Sequence, residues 1–280
     1  MGWFDYSTLL GYVFGAVLGG FAIELMGNLH ALLLIAGLLF FSALLLWRFV
    51  WKETPKADST HYGNWTELKK VFRIKEVRQI FPIWLIIAIL LGLALTYLPI
   101  ILLSSGIRGG VIGIMFALAG GALGLLQPFW GKVSDKVGRI PVMIYGVLSI
   151  TGIVIVLLLF PDSVYTKTGS GIHIGIGAIP LAIFGLGAGA FIPSALALMA
   201  DSSSESSYGA TMGLYSFALG FGAFVAEAMG LLLIIVSGSE NAPGWILYFA
   251  AVLVFIALAL VLFFFSKRVA DRIFRRNAKA

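Results

Sequence analysis

The sequence predicts an all-α polytopic membrane protein with eight transmembrane helices. Three observations carry that prediction. Hydrophobic residues make up 60% of the 280 residues and charged residues only 11%, against roughly 45–50% and about 25% in soluble domains. The apolar residues fall in runs long enough to cross a hydrocarbon core of about 30 Å, which needs ~20 residues as a helix. The basic residues gather after the second, fourth and eighth of those runs.

The apolar runs are 6–27, 29–50, 79–104, 110–130, 141–161, 172–200, 209–236 and 243–266. Lipid offers the backbone no hydrogen-bond partner, so each run is expected as a helix. Only Gly27 and Asn28 separate the first two. Of 19 Lys and Arg, 17 follow the second, fourth and eighth runs, leaving Arg108 and Lys167 on the other face. The positive-inside rule makes the rich face cytoplasmic, with both termini on it. The net charge of +6 then reflects topology. No basic patch is interleaved with stacking aromatics outside the spans, which excludes nucleic acid as a partner. The bilayer is the implied one.

Segment 51–78 is a basic connection. Within it Trp65, Leu68, Lys69, Lys70, Val71, Phe72 and Arg73 read as an amphipathic interfacial helix, the alternative being a solvated linker. Residues 267–280 read as a basic cytoplasmic tail. The absence of cysteine excludes disulfides and thiolate chemistry. His30, His61 and His173 have no metal-ligand spacing. No nucleophile–base constellation assembles, and Ser202–Ser207 reads as a polar connection. The chain is therefore expected to be no enzyme and to carry no metal or cofactor. The N-terminus lacks the basic region of a signal peptide.

The connection Gly131-Lys132-Val133-Ser134-Asp135-Lys136-Val137-Gly138-Arg139 carries a fixed pattern: glycine, a small residue before aspartate, a basic residue, then Gly-Arg. It resembles the cytoplasmic signature loop between the second and third helices of each half of Major Facilitator Superfamily transporters. A second feature agrees. Tyr12–Gly27 and Tyr215–Gly230 match at seven of 16 positions with a constant offset of 203, including Glu24-x-Met26-Gly27 and Glu227-x-Met229-Gly230. Parallel repeats of this kind are expected in that family. The resemblance assigns the chain to the last eight of twelve helices: 1–50 as two helices of the N-terminal half, 51–78 as the linker, and 79–266 as the C-terminal six-helix half. Gly15-Ala-Val-Leu-Gly19-Gly20 is similar to the Gly-Pro-x-x-Gly-Gly element of antiporters, with Ala16 in place of proline. Ala210–Tyr215 is similar to the start of the family's eleventh helix.

The resemblance implies transport of a small solute by alternating access, with proton-coupled efflux of a drug or metabolite as the specific expectation. The location it implies is the plasma membrane. The alternative is a transport-inactive fragment, or a structural membrane partner, lacking the first four helices. Oligomeric state is left open. It also implies that Gly131, Asp135, Lys136, Gly138 and Arg139 form a conformational latch, Asp135 reaching the end of the seventh helix near Tyr208, with Gly131 and Gly138 permitting a tight turn. Its substrate cavity would be lined by Trp84, Tyr97, Gln127, Phe184 and Phe191. No charge lies in 79–104 or 172–200, which points to a neutral or weakly polar solute.

Glu24 and Glu227 are the only acidic residues inside the expected spans. An intramembrane carboxylate must be paired, protonated or facing water, so each is a candidate for proton coupling. Both fall in the outer third of their helices, where reaching interfacial water or capping a neighbouring helix is the other reading. Gly15/Gly19, Gly120/Gly124 and Gly185/Gly189, each four residues apart, are expected at close helix contacts. Pro99, Pro128, Pro180 and Pro193 are expected to kink their helices.

Overall fold

Gly27 decides how the N-terminal apolar stretch is used. In the computed structural model of the chain, which describes residues 2–50, 65–104, 106–160, 165–168, 171–204 and 207–277, the first element α1 (Gly2–Val50) is 49 residues long. Unbroken it would extend about 73 Å, over twice the hydrocarbon thickness. Gly27 interrupts it with φ 76° and ψ 167°, a conformation that a Cβ would oppose. The carbonyl of Met26, exposed by the break, is taken by Nδ1–H of His30 at 3.1 Å.

The same device recurs later in the chain. Gly238 has φ 77° and ψ 154°, and Nδ2 of Asn241 donates to the carbonyl of Ser237 at 3.2 Å. In both places a glycine ends a helix, and a polar side chain three residues on returns to the carbonyl just before it. Seven helices among the described residues are long and apolar enough to cross a membrane. The eight expected spans fall on these seven, the first two sharing α1 on either side of Gly27.

Next come α2 (Trp65–Arg73), α3 (Lys75–Ser104), α4 (Gly109–Val137) and α5 (Arg139–Leu159). A hairpin follows, β1 (Tyr165–Thr168) and β2 (Gly171–Ile174). The chain then forms α6 (Ala178–Ala188), α7 (Phe191–Asp201), α8 (Tyr208–Ser237) and α9 (Ala242–Asn277). The short amphipathic helix expected in the basic connection is α2, with Val71 buried and the Phe72 ring edge-on to Phe81 at 5.2 Å. The rest of that connection, 51–64 with His61, lies outside the described residues.

Three expectations need correction. The signature segment 131–139 is not a loop: α4 runs through Gly131 and Asp135 to Val137, and Gly138 alone separates it from α5. The sixth span begins at 178 rather than 172, because 171–174 pairs with 165–168 as an antiparallel hairpin, Tyr165 opposite Ile174 and Thr168 opposite Gly171. Open strand edges are excluded from lipid, so the hairpin belongs to the connection outside the spans. The helix α9 continues past the last span to Asn277, into the basic segment after 266.

The last correction concerns the prolines and glycines. Pro180 and Pro193 sit in the first turns of α6 and α7, where a missing N–H is tolerated. Pro193 cannot bond the carbonyl four residues back, and the chain breaks between α6 and α7 at Gly189–Ala190. Of the paired glycines, Gly15, Gly19, Gly120 and Gly185 have open space where a Cβ would stand. The close contacts use other glycines.

The chain divides into two compact units, one comprising 1–65 and 99–124, the other 66–98 and 125–280. In the second, α5 is central and packs against α6, α7 and α9, while α8 contacts α7 and α9. Its interior is built from Ile80, Trp84, Met143, Phe191, Met199 and Val254. Two glycines of α5 set the spacing. A Cβ at Gly146 would come within 2.6 Å of the Phe191 nitrogen, and one at Gly152 within 2.8 Å of the Phe184 ring.

Candidate functional site

Gly138 brings three helix ends together. Its φ of 111° lies in the region open to glycine, so the chain reverses from α4 into α5 within one residue. The Gly138 N–H still donates to the carbonyl of Ser134 at 2.9 Å, closing the last turn of α4. Arg139, the first residue of α5, then points back across the junction. Its Nη1 donates to Ser134 Oγ at 2.8 Å and pairs with the Asp135 carboxylate. Its Nε donates to Asp201 Oδ2 at 3.0 Å, at the last residue of α7.

The cluster is anchored from inside and open from outside. Ser134 is buried and its hydroxyl also donates to the Gly131 carbonyl at 2.8 Å. The Arg139 side chain is 23% exposed, those of Asp135 and Asp201 59% and 57%. Carboxylates that wet contribute at most about 1 kcal/mol each to stability. The network therefore acts by position: one planar guanidinium, with donors fixed in a fork, joins the ends of α4, α5 and α7. A cavity of about 410 Å³ opens there, lined by residues 134–140 with Leu198 and Asp201.

This arrangement joins three of the expected latch residues, Asp135, Gly138 and Arg139. Lys136 is exposed on the rim of the cavity. Gly131 is helical, with open space at its Cβ position, and serves no turn. The anchor found beyond the signature is Asp201 of α7, a residue that sequence reasoning missed along with the role of Ser134. A weak signal existed, because Asp201 is the acidic residue at the end of a span on the same face as the signature.

The expected cavity residues are mostly interior. Trp84 and Phe191 are fully buried. Trp84 stacks on Tyr215 at 4.5 Å and on Phe191 at 5.7 Å, and its Nε1 donates to the Tyr215 carbonyl at 3.1 Å. Tyr97 is buried on α8, where its hydroxyl donates to the Glu227 carbonyl at 2.8 Å. In this structure these three rings fill helix contacts rather than a cavity, because each meets a small residue or a flat ring that closes over it. Phe184 and Gln127 are half-buried, Phe184 against Gly152.

The two intramembrane carboxylates differ. Glu24 pairs with Arg108, whose Nε donates to Oε1 at 2.8 Å, and its Oε2 accepts the N–H of Gly110 at 2.8 Å in the first turn of α4. It therefore caps a neighbouring helix. Glu227 is exposed, and no partner of its carboxylate is found among the described residues. No cluster of three or more His, Asp or Glu that could hold a metal occurs among them either.

Seven helices long and apolar enough to cross a membrane, among the described residues, define an integral membrane protein of the polytopic helical class. The sequence model of the Major Facilitator Superfamily matches residues 1–180 and 92–280. The chain belongs to that family and is a membrane transporter. Searches of curated proteins and of solved structures give no match.

Proposed function

We propose that the chain carries a small, neutral or weakly polar solute across the plasma membrane by alternating access, as a secondary active transporter with both termini cytoplasmic. The observation that carries this reading is the junction at Gly138. A one-residue reversal with Arg139 bridging Ser134, Asp135 and Asp201 ties three helix ends through bonds that are strong in direction and cheap to break in water. Such a cluster suits a latch that holds one conformation and releases it. The charge distribution supports the orientation, with 17 of 19 basic residues on the face of this junction.

Proton-coupled efflux of a drug or metabolite is the finer form of the proposal. Glu227 is the better placed coupling residue, since its carboxylate is exposed on α8 and has no hydrogen-bond or ion-pair partner among the described residues, while Glu24 is committed to Arg108. Phe184 and Gln127 remain the candidate solute contacts in this conformation, and Trp84, Tyr97 and Phe191 would join them only if the packing around them opened.

The test is uptake of a panel of labelled neutral and weakly polar solutes into proteoliposomes carrying this chain, with and without a pH gradient. At least one solute should accumulate. Asp135→Ala should reduce its rate by a factor on the order of ten or more with the protein still folded. Uptake indistinguishable from empty liposomes for the whole panel, or full activity in Asp135→Ala, contradicts the proposal.

A further inference from the structure

The first unit contains a second charged cluster, at the end of α4 opposite the Gly138 junction. There the first turn of α4 meets the last turns of α1 before Gly27. The contact is a seam of backbone against backbone. A Cβ at Gly20 would stand 2.5 Å from the Gly109 carbonyl oxygen, and one at Gly113 would stand 2.5 Å from the Ala16 carbonyl oxygen. Further along, Gly121 faces the side chain of Val13 at 3.7 Å. Residue numbers rise along α4 as they fall along α1, so the two run antiparallel. Ala117 is buried, and it lies one turn beyond Gly113 and one turn before Gly121, on the helix face that meets α1.

Two features of this seam matter together. No side chain crosses it at Gly20, Gly109 or Gly113, so parting the helices there needs no rotamer change and leaves no knob in a hole. What fastens it is at its rim, where the half-exposed Phe21 ring lies over Gly110 beside the Glu24 carboxylate. Glu24 accepts two donors from the Arg108 side chain and the N–H of Gly110, while a Cβ at Gly110 would lie 2.8 Å from Glu24 Oε2. The Glu24 side chain is 20% exposed and that of Arg108 79%. A smooth seam with a wet ion pair at its edge is the construction of a clasp.

We propose that Glu24 and Arg108 form such a clasp, closing α1 onto α4 on the face opposite the Gly138 junction, and that its release opens the seam to water from that face. The inference rests on the alternating-access reading above, because it supplies the closure that such a cycle needs on the second side. Glu24 is then a positioning residue for the closed state and takes no part in proton transfer.

The native chain has no cysteine, so one introduced thiol reports alone. Ala117→Cys places it in the seam. A membrane-impermeant maleimide is applied to vesicles from the face bearing Arg108. With the clasp intact, labelling should be slow. Glu24→Gln and Arg108→Gln should each raise the initial rate roughly fivefold, the scale of one exposed ion pair acting on a two-state equilibrium. The exchange Glu24→Arg with Arg108→Glu restores the ion pair but not the acceptor of the Gly110 N–H, so it should bring the rate only part of the way back, below that of either single variant. Gly113→Ala, which wedges the seam without touching a charge, should also raise it. Rates unchanged in both single variants, or a charge exchange that labels as fast as either single variant, would overturn the clasp. The readout needs no solute, so a seam that opens as described in a chain that transports nothing would leave the clasp standing and remove only the transport reading.

Discussion

Residues 12–27 of α1 and 215–230 of α8 carry one sequence pattern and two structures. Both have Gly, then Phe, then Glu-x-Met-Gly at the same spacing. In the first copy the final glycine, Gly27, ends the helix at φ 76°. In the second, Gly230 is helical and buried, with the Tyr97 ring lying where its Cβ would be, and the helix runs on to Gly238. Gly19 faces open space, whereas its counterpart Gly222 is pressed against Ala88 and Ile89. Glu24 is clasped by Arg108, whereas Glu227 offers its backbone carbonyl to Tyr97, and its carboxylate has no hydrogen-bond partner among the described residues. A glycine or a carboxylate in a membrane span thus has no meaning by its identity alone. Its neighbour decides whether it is a hinge, a groove or a lock.

Substitutions at matched positions should separate the two copies. The largest difference is expected between Gly222→Ala and Gly19→Ala. A Cβ at Gly222 would meet the Ala88 Cβ at 2.6 Å and the Ala88 carbonyl carbon at 3.0 Å. The backbone there cannot step aside, so a loss of about 1–3 kcal/mol is expected. Gly19→Ala meets nothing and should gain about 0.5–1 kcal/mol through helix propensity. Thermal unfolding of the purified variants in detergent reads both, and equal midpoints would erase the distinction.

Next in size is Gly27→Ala, which forces a Cβ into positive φ at a cost of about 1–2 kcal/mol. It should also rigidify the junction, seen as reduced protease or label access at Asn28. An unchanged melting midpoint would mean that the break is not built into the chain at Gly27. Tyr97→Phe follows. It keeps the ring over Gly230 and removes one hydroxyl bond to the Glu227 carbonyl, a loss of about 0.5–1 kcal/mol. The smallest effect on stability is expected for Glu227→Gln, within about 0.5 kcal/mol, because the side chain holds nothing. In the transport assay the same variant should lose its response to a pH gradient while Glu24→Gln keeps it. The reverse pattern would assign coupling to the clasped carboxylate.

Much of the fold was legible because the bilayer allows so little. Long apolar runs must be helices, and their ends at Lys75, Arg139, Tyr208 and Ser237 fall within a few residues of the hydropathy boundaries. The break at Gly189–Ala190 also had a written cause in Pro193. The hairpin was legible in principle, since Tyr165–Thr168 and Gly171–Ile174 carry β-branched residues on either side of a short turn, but a helical reading of 172–200 absorbed its second strand. The helical course of Gly131–Val137 was hidden for the opposite reason. Charges and glycines there read as a loop, although the turn needed only Gly138.

The site divides in the same way. Asp135, Gly138 and Arg139 stood out because their segment resembles the family's signature loop. Asp201 did not, because nothing local links it to a residue 62 positions away. The aromatic candidates are a related case. A ring in a span is the same letter whether it lines a cavity or fills a groove, and Trp84 and Phe191 fill grooves.

By itself the sequence determined that the chain is a helical membrane protein, which face is rich in positive charge, where the signature lies, and that two carboxylates stand in apolar surroundings. Those are consequences of transfer free energy, of local geometry and of charge order along the chain, all of which act residue by residue. Only the tertiary structure decided that Glu24 is locked and Glu227 free, that Gly222 is filled space and Gly19 empty, and that Arg139 reaches Asp201. Each of these depends on which helix stands opposite, and contact between helices far apart in the chain leaves no trace in the run of residues on either one.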